Sequence, residues 1–486
     1  MTLTYATLRD QVAALKARKI SAAELMEETI ARIEARDGKI NAVVARDFER
    51  ARAAAKDADD ARTRGDSKPL LGAPVTVKEA YNVAGLPTTW GWPAALDWRP
   101  TEDAVLVSRL KAAGAIVVGK TNVPLFCADW QTYNEVYGTT NNPWDLDRTP
   151  GGSSGGSAAS LAAGYVALEL GSDIGGSLRV PAHFCGVFAH KPTLALLPMR
   201  GHMLPRLAAL PLRPDLAVVG PMARSAADLS LALDLLAGPD EAEAIAYSLK
   251  LPPPRADRLD GFRVLVLEAH PQIPTSAAVR AAIDDIAQGL ERTGTKVSRQ
   301  SPLLPDLTLV MRTYIALLMP IYGPSLPDSD FEAARQTVAG IPADVDTLDA
   351  QRVRGLVATH RDWLKADWVR ATVNAQWREL FRTFDVVLCP VTTTPAFPHD
   401  HSKDQDTRTI VIDGAAHSYV NQLLIWPSLA TLSGLPATAA PIGRSPEGLP
   451  IGMQIIGPAL EDRTTLRFAE LIEQEFGGFT PPPGFG

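Results

Sequence analysis

Two short segments rich in glycine and serine lie close together in the first half of the chain. The first, GGSSGGS, spans residues 151–157, and the second, GSDIGGS, spans residues 171–177. A helix of small residues over 157–163 and an apolar strand over 165–170 are predicted between them. Because glycine has no side chain in the way, each segment can bring main-chain N–H groups close to a ligand. The chain therefore has to place two tight turns around one helix–strand unit.

Strand and helix patterns alternate on both sides of these turns. In the first half, buried strands are predicted over 73–77 and 115–118, with a helix over 103–113. In the second half, the patterns predict a helix that ends near Gly238, a strand over 262–268, a helix over 276–293, a helical stretch over 349–383 and a strand over 385–389. This alternation predicts an α/β fold with a mainly parallel sheet.

The N-terminal part of the chain reads differently, as two helices over residues 21–62. Ser21 and Glu24 have the spacing of a capping box, in which each side chain bonds to the other residue's main-chain N–H. Asp37 and Gly38 are predicted to end the first helix, and an alanine- and arginine-rich helix follows. We expect this segment to pack on the α/β unit.

Composition and charge disfavour several functional classes. The chain has 486 residues and a formal net charge of −7, and it lacks a basic run that would form a phosphate-binding stripe. Cys127, Cys185 and Cys389 are widely spaced, which predicts reduced thiols and neither disulfides nor a zinc site. No signal peptide is predicted, and the most apolar stretch, residues 309–322, is too short to span a bilayer. We therefore expect a cytoplasmic protein that binds neither nucleic acid nor membrane.

Ser177 is the candidate nucleophile. The residues that follow it, Leu-Arg-Val-Pro, indicate a tight turn entering a helix, where outward N–H groups can stabilise an anion. A phosphate-binding loop is the competing interpretation, but neither GxxxxGK[ST] nor a GxGxxG that opens a βα unit is present. A third interpretation is that both segments are only flexible connections. Two such segments so close together make that interpretation less attractive.

A serine nucleophile needs a base. His183 and His190 lie near in sequence, but neither sits in a recognisable nucleophile motif. Lys78 ends an apolar strand, and a lysine there can act as a base if burial keeps it neutral. The structural alternative is a lysine whose ammonium reaches solvent or pairs with Glu79.

At these residues the sequence resembles the amidase signature family, which includes fatty acid amide hydrolase and peptide amidase. The resemblance is carried by PVTVKEAYNVAGLPTT, GAIVVGKTNVP, NNPWDLDRTPGGSSGGSAAS and GSDIGGSLRVPAHFCGVFAHKPT. DVVLCPVTTTPA, SGLPATAAPIG and GLPIGMQIIGP add weaker matches near the end of the chain. It implies one α/β/α domain over residues 1–486 around a large, mixed, twisted sheet, with the helical segment of about 1–65 packed on it.

The resemblance also implies site residues. Ser177 would be the nucleophile, Ser153 a bridging serine after a cis peptide bond, and Lys78 the base. The main-chain N–H groups of Ile174, Gly175, Gly176 and Ser177 would form the oxyanion hole. The residues that would hold the loops in place are Ser154, Asp173 and Arg179.

The reaction implied is hydrolysis of a carboxylic amide through an acyl-enzyme, without a metal or organic cofactor. His183 and His190 would be structural, and Cys185 and Cys389 would be core residues. A homodimer is the oligomeric state that the family suggests.

Substrate contacts are expected from residues 125–130, with Cys127, Ala128 and Trp130 foremost. Trp90 and Trp92 follow the Leu-Pro-Thr-Thr motif and, with Trp130, would form an aromatic wall that favours an aryl or alkyl amide. The alternative is that these tryptophans pack in the core or at an interface.

Two other functions stay open at this point. One is the A subunit of a tRNA-dependent amidotransferase, which works with partner proteins. The other is a non-catalytic binding protein on the same fold. Ester and carbamate cleavage are also compatible with the same acyl or carbamoyl intermediate.

Overall fold

The fold is built around a long sheet whose strands come from most of the chain. The computed structural model describes residues 3–205, 207, 210 and 212–485. In this part of the chain the strands are β1 (Val43–Arg46), β2 (Pro74–Lys78), β3 (Ile116–Thr121), β4 (Tyr133–Asn134), β5 (Gly138–Thr139), β6 (Leu168–Asp173), β7 (Phe188–Lys191), β8 (Val218–Ala223), β9 (Arg263–Val266), β10 (Lys296–Ser298), β11 (Val386–Pro390), β12 (Thr409–Ile412), β13 (Ala415–Ser418), β14 (Ala437–Arg444) and β15 (Pro450–Ile456).

Helices connect and cover these strands. They are α1 (Leu8–Lys16), α2 (Ala22–Ile40), α3 (Phe48–Thr63), α4 (Val105–Ala112), α5 (Gly155–Ala162), α6 (Arg179–Cys185), α7 (Ala226–Leu236), α8 (Glu241–Ala244), α9 (Ala277–Arg292), α10 (Leu307–Leu318), α11 (Asp328–Gly340), α12 (Leu348–Leu356), α13 (His360–Thr383), α14 (Tyr419–Leu432) and α15 (Asp462–Phe476). Outside residues 21–62 and 349–383, the strands and helices predicted from the sequence are found here with shifted ends.

Eleven of the described strands form one mixed sheet, in the order β1-β3-β2-β6-β8-β7-β14-β15-β11-β9-β10. Strands β3, β2 and β6 are parallel, as are β11, β9 and β10, whereas the strands between these two groups pair antiparallel. The predicted α/β class is confirmed, but the expectation of a mainly parallel sheet is wrong. One reason is that only residues 445–449 join β14 to β15, and so short a link forces an antiparallel pair.

Helices cover both faces of the sheet. Alternate residues of β11 show the two faces, because Val386 and Leu388 pack into one core and Val387 and Cys389 into the other. The first core is completed by helices α4, α7, α9 and α15, and the second by α5, α6, α10, α13 and α14. The result is an α/β/α arrangement in which the strand ends near Ser177 are enclosed.

The N-terminal helices pack against one end of the sheet. Helices α2 and α3 share a third core with β1 and β3. The predicted capping box of Ser21 and Glu24 is present. However, α2 continues through Gly38 and ends at Asn41, whose φ of 57° is left-handed, and the short strand β1 follows. The break predicted at residues 37–38 is therefore wrong, because Asp37 caps the following turn through the amides of Ala42 and Val43.

The helical stretch predicted over 349–383 is two helices. Helix α12 ends at Leu356, and α13 starts after Thr359, which forms a capping box with Asp362. The pattern missed this break because a helix N-terminus rich in polar residues resembles a polar helix face.

The apolar run around α10 is longer than the sequence suggested. Residues Leu307–Ser325 form a helical run of 19 residues with a mean hydropathy of 1.2, which by length and composition alone is enough to cross a membrane. Half of that run is buried inside the molecule, and Val310, Met311 and Tyr314 pack in the second core. A buried core helix of a globular protein can have the same length and mean hydropathy.

Candidate active site

The two glycine- and serine-rich segments lie against each other. The main-chain N–H of Ser154 donates to the carbonyl oxygen of Ser177 at 3.3 Å. The peptide bond between Gly152 and Ser153 is cis. A Cβ on Gly152 would lie 2.5 Å from the carbonyl oxygen of Asp129, so glycine is required for this close approach. Ser153 and Ser177 therefore lie just before the first turns of α5 and α6.

The amino group of Lys78 contacts the hydroxyls of three serines. Its Nζ lies 2.7 Å from Ser153 Oγ, 2.9 Å from Ser172 Oγ and 3.1 Å from Ser154 Oγ. A protonated amine has three N–H donors and a neutral amine has two N–H donors and one lone pair, so three hydroxyl neighbours can satisfy either form. The arrangement therefore provides hydrogen-bond partners for an uncharged Lys78 whose lone pair accepts from one serine.

Burial lowers the pKa of Lys78, while the nearby Cys127 and Asp173 act in the opposite direction without cancelling the effect. The side chain is fully buried, which contradicts the alternative of an ammonium that reaches solvent. Pairing with Glu79 is contradicted as well, because the Glu79 carboxylate instead accepts hydrogen bonds from the amides of Thr89 and Trp90.

Asp173 and Arg179 form a buried ion pair behind the nucleophile. Arg179 donates to both carboxylate oxygens at 2.8 and 3.0 Å. The carboxylate also accepts from the amides of Gly176 and Leu178 at 2.9 and 3.1 Å. Burial raises the pKa of Asp173, but the Arg179 guanidinium outweighs this and holds the pKa below its ordinary value. The pair fixes the turn that carries Ser177.

The turn presents main-chain N–H groups for an oxyanion, though not all those expected from the sequence. Gly176 has a φ of 94°, and a Cβ there would lie 2.7 Å from Pro427. Its N–H donates to Asp173 and so is already engaged. Within the described part of the chain, no acceptor is assigned to the N–H groups of Ile174, Gly175 and Ser177. These three are the donors available to stabilise a developing negative charge.

A cavity of about 210 Å³ opens at Ser177. Its lining is mostly apolar and includes the polar residues Asp129, Arg352 and Gln405. The described lining residues are Cys127, Ala128, Asp129, Trp130, Ile174, Gly175, Ser177, Leu318, Met319, Tyr322, Arg352, Gln405, Val420 and Leu424. A cavity of about 150 Å³ accepts a benzene ring, so this one has room for a ring and a few further atoms.

The predicted substrate contacts are only partly brought together. Cys127, Ala128 and Trp130 line the cavity, and the Trp130 indole donates to the carbonyl oxygen of Gly175 at 2.8 Å. Trp90 and Trp92 are absent from the described lining. Trp90 is buried against His202, and the half-exposed Trp92 packs against Phe126. The continuous aromatic wall expected from the sequence is therefore not formed.

The two histidines near Ser177 serve the packing. His183 lies in α6, with its ring between the main chain of Gly452 and Thr394, and burial lowers its pKa to about 4. His190 lies in β7 and contacts Thr438 and Asp462.

Two of the cysteines are fully buried. These are Cys185 and Cys389, which lie in the second core. Among the residues that the structure describes, no group of three or more His, Cys, Asp or Glu side chains could hold a metal ion.

Several residues of the site were missed in the sequence. Ser172 contacts Lys78 and belongs to the second glycine- and serine-rich segment, which was the available signal. Arg352, Gln405 and Met319 reach the cavity from the second half of the chain. Nothing in their local sequence indicates that they meet Ser177.

Comparisons with known proteins identify the family of the chain. The family model described as Amidase matches residues 24–466. A curated relative, the A subunit of glutamyl-tRNA(Gln) amidotransferase from Anaeromyxobacter sp. (strain K), is 33% identical over 98% of this chain and 97% of its own length.

Two solved structures extend the comparison. A protein complex described as vestigial, which reveals the origins of an s-triazine catabolic enzyme, has a TM-score of 0.80 and 31% identity, covering 97% of this chain and 99% of that one. A 6-aminohexanoate cyclic dimer hydrolase in complex with its substrate has a TM-score of 0.78 and 25% identity, covering 99% of each chain.

Proposed function

The chain belongs to the amidase signature family, and from that membership we propose that it is a free-standing amide hydrolase acting through an acyl-enzyme on Ser177. The preferred substrate is a small aryl or alkyl amide. The observation that carries the proposal is the 2.7 Å contact between Lys78 and Ser153, in a buried site that opens at the Ser177 cavity.

Lys78 begins the reaction as a neutral amine. It accepts the proton of Ser153, and Ser153 accepts the proton of Ser177 as Ser177 Oγ attacks the amide carbonyl carbon. The carbonyl oxygen becomes an oxyanion, which the N–H groups of Ile174, Gly175 and Ser177 stabilise. A buried site strengthens these hydrogen bonds because water does not compete for the donors.

The tetrahedral intermediate then breaks its C–N bond. Ser153 donates a proton to the leaving nitrogen and recovers one from Lys78, so the amine or ammonia leaves uncharged. Water then attacks the acyl-enzyme carbonyl carbon, and its proton passes to Ser153 as Ser153 gives its own to Lys78. The bond to Ser177 Oγ breaks as Ser153 donates a proton to Ser177 Oγ and recovers one from Lys78, which releases the acid and free Ser177. No step requires a group that these residues lack.

The cavity supports a small substrate. A volume of about 210 Å³ suits a ring or a short chain, but neither a long acyl chain nor a folded peptide. Trp130, Leu318, Met319 and Leu424 favour an apolar substituent. Esters and carbamates of similar size are further substrates, because they reach the same type of intermediate.

Hydrolysis of a substrate panel tests the proposal. The panel contains an aliphatic amide, an anilide, an aminoacyl amide, an aryl carbamate and an aryl ester, each incubated with the wild type and with Ser177→Ala. We expect the wild type to cleave at least the anilide and Ser177→Ala to cleave none. Labelling of the wild type, but not of Ser177→Ala, by a fluorophosphonate would exclude a non-catalytic binding protein.

A second candidate function is the A subunit of a tRNA-dependent amidotransferase. It is favoured by the curated relative, which has that name and matches nearly the whole chain. Purification from the native organism discriminates between the two. Partner proteins that co-purify, together with glutamine-dependent amidation of aminoacylated tRNA, would replace the free-standing hydrolase. A lone chain that cleaves the panel supports it.

The free-standing enzyme is proposed to work in the cytoplasm without nucleic acid or membrane, as one domain that forms a homodimer. Light scattering coupled to size-exclusion chromatography measures the oligomeric state, and a mass near that of one chain would contradict the dimer.

A further inference from the structure

One residue of the described cavity lining, Gln405, comes from a segment unlike the rest of the site. Residues 399–407 read HDHSKDQDT and contain no apolar side chain. None of them belongs to the described hydrophobic cores, and most are exposed. Apolar burial is the main term that holds a loop to a protein. This segment must therefore be held by polar contacts.

The two ends of the segment are firmly fixed. Arg408, which follows it, donates to Asp129 at 2.7 Å, and both side chains are almost fully buried. At the other end, the Gln131 amide donates to the Asp400 carbonyl oxygen at 2.7 Å and accepts from the Asp400 N–H at 2.9 Å. The chain therefore enters and leaves the segment at fixed positions.

The first residues of the segment are held as well. The Arg408 guanidinium donates to the carbonyl oxygen of Ser402 at 2.8 Å. The ring of His401 stacks on Tyr133, with 3.8 Å between the ring centroids. The part that depends on other contacts is therefore residues 403–407.

These remaining residues are joined to the cavity by two side-chain contacts, one part-buried and one exposed, while the Arg408 N–H donates to the carbonyl oxygen of Gln405 at 3.3 Å. Gln405, which lines the cavity, donates through Nε2 to the carbonyl oxygen of Ala128 at 3.0 Å. Asp406 accepts from Arg352, which also lines the cavity, and the Asp406 side chain is 59% exposed. Exposed ion pairs and single neutral hydrogen bonds add little net stability. These two contacts are far easier to break than the buried ion pair of Arg408.

We propose that residues 403–407 form a latched wall that sets the largest substituent the cavity admits, with Gln405 and Asp406 as its specificity-determining residues. The inference rests on the proposed amide hydrolysis. With both latches closed, the cavity is limited to about 210 Å³. With both removed, the wall moves outward between its fixed ends, and larger uncharged substituents reach Ser177.

The test compares Gln405→Ala, Asp406→Ala and the double variant with the wild type. Lys403→Ala is the matched control, because Lys403 is exposed in the same segment and does not line the cavity. The substrates are anilides with acyl groups from acetyl to octanoyl and a second series of acetamides with amines of increasing size. All are uncharged, so the lost charge at position 406 affects each member alike.

We expect the ratio of kcat/KM for the largest to the smallest member of one series to rise at least tenfold in the double variant. The single variants should fall between, and Lys403→Ala should match the wild type. Unchanged ratios in a double variant that still cleaves the smallest member would overturn the proposal.

Hydrogen exchange separates this inference from the proposed function. In the double variant, the amides of residues 403–407 should exchange at least fivefold faster, while the peptide over β11 stays unchanged. If the wild type cleaves no member of either series, the proposed function fails. The size limit is then measured from the rates at which alkyl fluorophosphonates of increasing length label Ser177, and equal dependence on length in wild type and double variant would overturn the latched wall.

Discussion

Lys78 and Arg179 are both fully buried basic side chains beside the nucleophile turn, yet their surroundings differ. Arg179 bonds to the Asp173 carboxylate and to three neutral acceptors, on Pro427, Gln454 and Thr431. The hydrogen-bond partners of Lys78 are serine hydroxyls. Burial with a carboxylate partner keeps a charge and makes a rigid support, whereas burial without one favours the uncharged form. In the proposed reaction, this difference is what lets Lys78 act as a base while Arg179 supports the turn.

Replacement of Lys78 should have the largest effect on activity. Lys78→Met keeps the apolar volume but removes the lone pair that accepts the proton of Ser153, so kcat/KM should fall by ~10²–10⁴-fold. Steady-state kinetics on the cleaved panel member measures it. The control is Lys120→Met, at the buried lysine of β3 whose amino group contacts the segment 87–88. Turnover of Lys78→Met within tenfold of the wild type would remove Lys78 as the base.

Replacement of Arg179 should act on stability instead. Arg179→Met leaves the Asp173 carboxylate buried without its partner, which lowers the free energy of unfolding by about 3–5 kcal/mol. Urea unfolding followed by circular dichroism measures the change. Arg382→Met breaks an exposed pair with Glu379 and should change stability by less than about 1 kcal/mol. Equal losses of unfolding free energy in the two variants would mean that the buried pair stabilises the fold no more than the exposed one.

The pH dependence of kcat/KM and of the free energy of unfolding should both follow the lowered pKa of Lys78. The rate requires the neutral amine, so kcat/KM should decrease about tenfold per pH unit below that pKa. A pH–rate profile on the cleaved panel member measures the decrease.

Protonation of Lys78 also makes the free energy of unfolding depend on pH. Between the lowered native pKa and the ordinary value of 10.5, the unfolded chain binds more protons at this site, so its contribution to stability rises with pH. Lys78→Met should therefore gain most over the wild type near neutral pH, with the gain shrinking towards pH 10.5. Urea unfolding at a series of pH values measures the gain, and a gain that is independent of pH would show that Lys78 stays charged.

The smallest effect is expected at Ser172, which shares Lys78 with the two other serines. Ser172→Ala removes one neutral hydrogen bond at 2.9 Å, a loss of about 1 kcal/mol, so the rate should fall roughly fivefold. Steady-state kinetics measures the change, and Ser160→Ala is a control in which a buried hydroxyl outside the Lys78 group is removed. A loss as large as that of Lys78→Met would give Ser172 the relay role assigned to Ser153.

Site residues that are close together in the sequence could be predicted to meet, whereas residues far apart in the sequence could not. Ser153, Asp173 and Ser177 lie within two short segments, so their proximity could be predicted. Arg352 and Gln405 meet Ser177 only through the packing of distant parts of the chain, which no local pattern encodes. The role expected of Trp90 was wrong for a related reason, because an aromatic residue alone does not indicate which neighbour, here His202, its ring packs against.

The fold shows the same limit. Strands such as β2 and β11 were predicted because apolar runs of that length are typical of buried strands. Their directions were not, because direction depends on how the chain returns between strands. Gly38 lies inside a helix although glycine usually marks a break, since tertiary packing of α2 against α3 outweighs its low helix propensity.

The eleven-stranded sheet also bears on how the protein avoids uncontrolled strand addition by its own copies. A long sheet edge offers unpaired N–H and C=O groups on which a second chain can add a strand. This sheet ends in β1, with 4 residues, and β10, with 3 residues, so little open edge is presented on either side. The sheet is thus very large but ends in short edge strands, which protects the folded protein from edge-to-edge aggregation.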